Sequence, residues 1–431
     1  MNFVDIIEKK KNKQALSEEE INYWIEGFCN GTIADYQCSA LLMAIVLNGM
    51  NREETFYLTK AMTYSGETLD FSMIDGIKVD KHSTGGVGDK TSMALMPLLA
   101  SVGLKVAKMS GGALGFCGGT VDKLSSIPNM NVFMNKEDLI KQVQEIGIAM
   151  VGQTGNLCPA DKKIYALRDV TATVGCNPLI VSSIMSKKLA CGDDVIVLDV
   201  KYGNGSFMET IDDATILAEE MIDVGKRFGK NISACLTSMN QPLGNAVGNA
   251  LEVKEAIDTL HGKGPKDFEE LVLTSGSIVM EKAGLCSKDE AFAKLKENIN
   301  NGKAAQLFKT MINYQGGLGD VVDNTELLPQ AKFITQLKSS VEGYVKDINA
   351  RYIGELSMSL GAGKLRKEDE IDYAVGIVLN KKVADEVKQG ETLAYIHHNK
   401  PLTEDFIVKF YSAYKLSKNK VEAKPLIDKI I

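Results

Sequence analysis

Two glycine-rich loops set the first limit on how this chain can fold. Val79-Asp-Lys-His-Ser-Thr-Gly-Gly-Val-Gly-Asp-Lys-Thr-Ser92 carries Lys81 and His82 into the first loop, and the apolar run after it reads as a helix. Lys108-Met-Ser-Gly-Gly-Ala-Leu-Gly-Phe-Cys-Gly-Gly-Thr-Val-Asp-Lys123 repeats the plan: a strand candidate ends at Lys108, five glycines follow, and Thr120 stands where a short helix would begin. Junctions of this kind belong to α/β domains, where loop N–H groups and a helix N-terminus can face an anion. Lys81, Ser83 and Ser92 would add a charge and hydroxyl donors on one side, and Lys108, Ser110 and Thr120 on the other. The first loop is not a nucleotide P-loop, because Asp89 rather than a glycine precedes Lys90.

The rest of the chain falls into place around those junctions. Residues before about 66 read as helices: Ser17 and Glu20 form a capping box ahead of Ile21, Trp24 and Ile25, Gly31 ends that helix, and two more begin near Asp35 and Asn51. The runs 102–109, 149–151, 195–201 and 232–237 read as buried strands separated by helical stretches, the alternation of a mainly parallel sheet. Residues 160–190 read as helical again, so the chain is expected to return to the first unit before resuming the sheet. The fold class expected is thus α/β plus helical. It comprises a discontinuous helical domain (1–66 and 160–192), an α/β phosphate-binding domain (75–155 and 195–330) with a mixed, mainly parallel sheet, and a C-terminal α+β domain (336–431). The last resembles the barrel-sandwich hybrids of biotinyl and lipoyl carriers, but without a Met-Lys-Met hairpin it reads as a structural β unit.

Composition excludes more than it selects. With 49 basic and 56 acidic side chains the net charge is −7, which gives no electrostatic reason to bind nucleic acid. No run has the apolar length of a membrane span, and the start lacks the pattern of a secretion signal. The eight cysteines are scattered without a CxxC pair, as expected of free thiols in a cytoplasmic enzyme.

A third stretch adds directed donors. Tyr165-Ala-Leu-Arg-Asp-Val-Thr is followed by Ser182-Ser-Ile-Met-Ser-Lys-Lys, in which Ser183 and Lys187 share a helix face. Tyr165, Arg168, Ser183 and Lys187 could present donors to the carbonyl oxygens and ring nitrogen of a base. His261 reads as a loop residue, and His397-His398 as the edge of a β region, too little by itself for a metal site.

At these stretches the chain resembles the pyrimidine-nucleoside and thymidine phosphorylase family. Asp80-Lys-His-Ser-Thr-Gly-Gly-Val-Gly-Asp, Ala166-Leu-Arg-Asp-Val-Thr, Ser182-Ser-Ile-Met-Ser-Lys-Lys and Gln241-Pro-Leu-Gly-Asn-Ala-Val-Gly-Asn-Ala-Leu-Glu-Val carry the likeness, which covers essentially the whole chain. It implies a homodimer that cleaves uridine, deoxyuridine or thymidine with inorganic phosphate, giving free base and a pentose 1-phosphate without an organic cofactor. It places phosphate at Lys81, Ser83, Ser92, Lys108, Ser110 and Thr120, and the base at Tyr165, Arg168, Ser183 and Lys187. His82 would be the proton or hydrogen-bond donor to the pyrimidine 2-oxo oxygen. Some members hold a monovalent cation, potassium, at positions matching Gly88, Lys90, Leu243, Ala246 and Glu255.

The departures from the family pattern fall in the loops. Where the family reads Ser-Gly-Arg-Gly-Leu-Gly-His-Thr-Gly-Gly-Thr, this chain has Gly112, Ala113, Phe116 and Cys117 at the altered positions. Tyr202 and Asn204 replace Thr and Ala, and Lys90 replaces a Thr, so an ammonium group could weaken or replace the cation. Two other readings stay open: a divergent paralogue with another nucleoside or no turnover, and a phosphoribosyltransferase of related fold. Against the second, no acidic metal pair lies beside the Gly-rich loops.

Overall fold

Capping chemistry fixes the N-terminal helices. The computed structural model describes residues 1–113, 115–153, 156–364, 366 and 368–431. Helices run Phe3–Lys11, Glu18–Asn30, Asp35–Asn48 and Arg52–Thr63. Ser17 and Glu20 form the expected capping box, Asn51 and Glu54 form another, and Gly31 closes the second helix with φ 85°. The helix Phe3–Lys11 was not separately expected; Asn2 caps it.

Two compact units divide the chain, the first made of residues 1–73, 153–196 and 216–232. The helices Pro159–Asp169 and Asn177–Ala190 belong to it. It also takes residues 216–227 of the helix Ile211–Arg227, a stretch the sequence places in the α/β domain. Trp24, Ile21, Leu41, Leu42 and Ile45 are fully buried at its centre, with Ala160, Ile164 and Leu179 in the same cluster. Inside it lies an ion pair, Lys10 Nζ to Glu54 Oε1 at 2.7 Å, and the same carboxylate accepts the Leu16 N–H. Such a pair matters less for its own attraction than for the uncompensated charge left if one partner goes.

The second unit comprises residues 74–152, 197–215 and 233–431. Four strands lie in the order Val79–Ser83, Val195–Tyr202, Asn231–Ser238 and Ile427–Ile430. The strands Val106–Ser110 and Ile148–Gly152 pair in parallel, Val106 opposite Ile148. The first of these starts four residues later than the apolar run beginning at Val102, because Val102 caps the helix Thr91–Ser101.

The C-terminal region is less self-contained than the sequence implied. Ile427–Ile430 returns to pair antiparallel with Asn231–Ser238, and Ala234 and Ile431 exchange both backbone hydrogen bonds at 2.9 Å. In the opposite direction, Ala246–Val247 joins the antiparallel sheet Ala246–Val247, Gly376–Leu379, Thr392–His398, Phe333–Lys338. Val87 and Val247 pack into the C-terminal core beside Val345, Ile348, Ile377, Ile396 and Phe410. Thr392–His398 is therefore an inner strand, and the expected edge position of His397 and His398 is not found. Strand alternation sends their rings to opposite faces, and His398 Nε2 lies 2.8 Å from Thr335 Oγ1. His261 follows the helix Asn249–Leu260, its Nε2 3.1 Å from the Val322 carbonyl. Lys382, after the strand Gly376–Leu379, donates to the carbonyls of Pro242 and Gly244. Among the described residues no helix is long and apolar enough to cross a membrane.

Glu54→Ala should lower the unfolding free energy by about 3–5 kcal/mol, the usual effect of stranding one charge of a buried pair. Urea titration measures it, and a loss below about 1 kcal/mol would contradict a structural role for the pair.

Candidate active site

The strand Val195–Tyr202 is almost wholly buried, yet it carries Asp199 and Lys201 two residues apart, on one face. A buried charge needs a partner. Asp199 Oδ2 lies 2.8 Å from Lys201 Nζ and 2.8 Å from Lys81 Nζ, all three side chains fully buried. Thr237 donates to the other Asp199 oxygen at 2.6 Å. Asp89 closes the cluster, 3.8 Å from Lys81 and 3.9 Å from Lys201. Burial alone would raise the Asp199 carboxyl; Lys201 and Lys81 outweigh it and hold it below the ordinary range. Asp89 goes further down for the same reason, against burial, with Lys201, Lys81 and Lys123 around it and a hydrogen bond from Ser83. Lys81 moves up: burial pulls against it, but Asp199 and Asp89 prevail.

The other residues expected to hold phosphate are Lys108, Ser110, Ser92 and Thr120. Lys108 Nζ sits 2.9 Å from Asp80 Oδ1 and also donates to the Lys81 carbonyl, so it faces the first strand rather than an open loop. Lys123 pairs with Glu252 at 2.7 Å and donates to the Asp89 carbonyl. Four ammonium groups here face four carboxylates, so the lysines supply little net charge. Ser110, at the end of its strand, has a buried hydroxyl oxygen with no protein partner. Ser92 lies in the first turn of the helix Thr91–Ser101, and Thr120 opens the short helix Thr120–Ser125. The N–H groups of the first loop are largely committed within the protein: Thr84 to Asp199, Gly85 to Ser83 Oγ, Val87 to Gly205 and Asp89 to Gly86. The expected outward cradle of amides is thus narrower than the glycine count implied, and hydroxyls are the available donors. His82 is half-buried at the end of the strand Val79–Ser83, which alternation turns to the face opposite Lys81 and Ser83.

The residues expected to face the base, Tyr165, Arg168, Ser183 and Lys187, all lie in the first unit. Lys187 donates to Ser183 Oγ at 3.0 Å and forms a close ion pair with Asp161. The Arg168 guanidinium is turned onto three backbone carbonyls, Thr173 at 3.1 Å, Val174 at 2.7 Å and Leu179 at 3.0 Å. Of its five N–H groups two remain for a ligand, so Arg168 first of all shapes the loop between two helices. Its carbon Cζ lies 5.6 Å from the Tyr165 ring centre.

The residues named for a cation lie together, with a lysine at their centre. Lys90 Nζ donates to the Leu243 carbonyl at 2.8 Å, to the Ala246 carbonyl at 3.0 Å and to the Glu255 carboxylate. Gly88 contributes differently, its carbonyl accepting the Lys90 backbone N–H at 2.9 Å.

The loop departures have structural partners. Phe116 packs on Phe207 with ring centres 5.8 Å apart, and Arg351 lies 4.9 Å above its ring. A Cβ at Gly354 would come within 2.8 Å of the Phe116 carbonyl oxygen. Tyr202 donates its hydroxyl to Asp428 in the last strand, and burial with that carboxylate pushes the phenol up to about 12. Asn204 accepts the Ala350 N–H at 2.7 Å. Cys117 is buried, which pushes its thiol up to about 12 and leaves it unreactive. Sequence reasoning missed Asp199, Lys201, Lys123 and Asp161. Only the first two left a signal, as charges inside an apolar strand.

Three comparisons bear on this arrangement. Residues 75–305 match the α/β domain of the glycosyl transferase family, residues 4–66 its helical bundle domain, and residues 344–417 the pyrimidine nucleoside phosphorylase C-terminal domain. The pyrimidine-nucleoside phosphorylase of Geobacillus stearothermophilus is 54% identical over 434 residues, covering 100% of both chains. Those of Staphylococcus haemolyticus and Staphylococcus aureus strain N315 are 54% and 52% identical, again over 100% of each chain. Among solved structures, anthranilate phosphoribosyltransferase from Thermus thermophilus aligns with TM-score 0.59 and 18% identity over 72% of this chain and 99% of that one, a likeness of fold.

Because Asp199 is held below the ordinary carboxylate range, its stabilising contribution is present above the unfolded pKa near 4 and is lost as pH falls through the lower folded value. The stability gap between wild type and Asp199→Asn should therefore be constant from about pH 5 to 8 and narrow below about pH 4. Urea unfolding across that range checks it; a gap that widens in acid would contradict the assignment.

Proposed function

This chain belongs to the pyrimidine-nucleoside phosphorylase family, and from that premise we propose how its residues carry out phosphorolysis. It is a pentosyltransferase that moves the pentose of a pyrimidine nucleoside from the base to inorganic phosphate. The observation that carries the residue-level reading is the buried, unpartnered hydroxyl of Ser110, at the end of the strand that carries Lys108.

Phosphate is held by the hydroxyls of Ser92, Ser110 and Thr120 and by Ser83, whose single O–H turns from Asp89 to reach it, with Lys81 and Lys108 behind them. Because each lysine is already paired, recognition rests on directed hydrogen bonds more than on net charge. Held phosphate offers one oxygen to the anomeric carbon on the face opposite the base, and its charge steadies the developing oxocarbenium ion. As the new C–O bond forms, the C–N bond to the base breaks and its electron pair passes into the pyrimidine ring. His82, on the other strand face from Lys81 and Ser83, gives a proton or hydrogen bond to the 2-oxo oxygen. Tyr165, Ser183, Lys187 and the two spare N–H groups of Arg168 orient the ring. The reading extends to a homodimer working in the cytoplasm, supported by the family resemblance and by cysteines that are all free.

Base release from uridine, deoxyuridine and thymidine, followed with and without phosphate, tests the function. Release should require phosphate, and His82→Ala should lower kcat by about 10²–10⁴-fold. Near-normal turnover in that variant would reduce His82 to a loop buttress. Ser110→Ala should raise the KM for phosphate roughly tenfold or more, since a hydrogen bond to a charged group contributes about 1.5–3 kcal/mol. An unchanged phosphate KM would remove Ser110 from the site.

A further inference from the structure

We propose that Lys90 is a built-in monovalent cation: its ammonium group takes the place the family resemblance gives to potassium, and the enzyme works without a bound metal ion there. Valence and space both favour the lysine. An ammonium group has three N–H donors. Lys90 has three oxygen acceptors, the carbonyls of Leu243 and Ala246 and the carboxylate of Glu255, so every donor is used. The ring of Phe268, fully buried, stands 5.3 Å from Nζ and offers a fourth, electron-rich side.

Converging carbonyl oxygens are what a weakly hydrated monovalent ion seeks, since they replace its water shell. Here those oxygens already face a positive charge. A potassium ion sharing them would meet the ammonium at close range, and Glu255 can balance only one of the two charges. The shell is also full. A Cβ on Gly244, at φ +63°, would stand 2.1 Å from Glu255 Oε1 and 2.9 Å from Lys90 Nζ; one on Gly88, at φ +76°, would stand 2.7 Å from the Leu243 carbonyl oxygen. The residues present therefore do not fit the metal ion and fit the lysine.

The consequence is positional. Glu255 also accepts the N–H groups of Asn245 and Ala246, and Lys382 holds the Pro242 and Gly244 carbonyls from another side. The loop 242–247 is thereby tied to Lys90, next in sequence to Asp89 of the phosphate-side cluster. Lys90 is a positioning residue: it fixes the first glycine-rich loop against the loop 242–247 without touching substrate.

The test compares wild type with Lys90→Thr in matched chloride salts of potassium, sodium and choline, by thermal unfolding and by kcat/KM. Wild type should give the same Tm and the same kcat/KM, within about twofold, in all three. Lys90→Thr should lose roughly 10–100-fold in kcat/KM in sodium and choline and regain most of it, with a raised Tm, in potassium alone. That rescue by a free ion is what a merely structural lysine would not show. Potassium-specific stabilisation or activation of wild type would overturn the proposal. So would a Lys90→Thr protein that behaves alike in all three salts. Should the variant fail to fold in every salt, the wild-type comparison decides alone. The Tm readings need no substrate, so they stand whether or not the nucleoside assignment does.

Discussion

Asp199, shared by the ammonium groups of Lys81 and Lys201, is the interaction on which the phosphate-side architecture depends. Burial disfavours each of these charges taken singly, and the close pairing of all three offsets that cost. Asp89 extends the pairing to the first glycine-rich loop, and Lys123, on the short helix after the second loop, holds the Asp89 carbonyl. Balanced charge rigidifies this part of the second unit and leaves hydroxyls as the groups with unused hydrogen-bonding capacity. Phosphate, a strong acceptor with several oxygens, suits such a site better than a free lysine cluster would suggest.

The C-terminal segment bears on the same loops. Phe116, Tyr202 and Asn204, each a departure from the family pattern, meet Arg351 and Gly354, Asp428 and Ala350 respectively. The strand Ile427–Ile430 and the strand Ala246–Val247 exchange places between the α/β and C-terminal sheets. The altered loop residues thus read as ties between loop and C-terminal region, and the residues proposed to hold phosphate are all present.

Much of this was legible in the sequence where the signal is local. The Ser17–Glu20 capping box, the Gly31 stop and the strand expected at 195–201 all follow from neighbours a few residues apart. What was not legible depends on partners far along the chain. No local pattern distinguishes the last strand from a surface tail, since its place is set by the exposed edge of Asn231–Ser238. Arg168 was expected to face the base, and only its three backbone acceptors show how much of it is spent on its own loop. Lys187 gave no sign of Asp161, twenty-six residues earlier. Asp199 and Lys201 were the readable exceptions, because two charges in an apolar strand demand an explanation.

The most direct test of phosphorolysis is the fate of phosphorus. ³¹P NMR of the enzyme with thymidine and inorganic phosphate should show a pentose 1-phosphate resonance growing in step with free thymine as the phosphate signal declines. Thymine released with no new phosphomonoester would mean hydrolysis and would contradict the assignment of phosphate as nucleophile. No change in either signal, repeated with uridine and deoxyuridine, would contradict the enzyme reading itself.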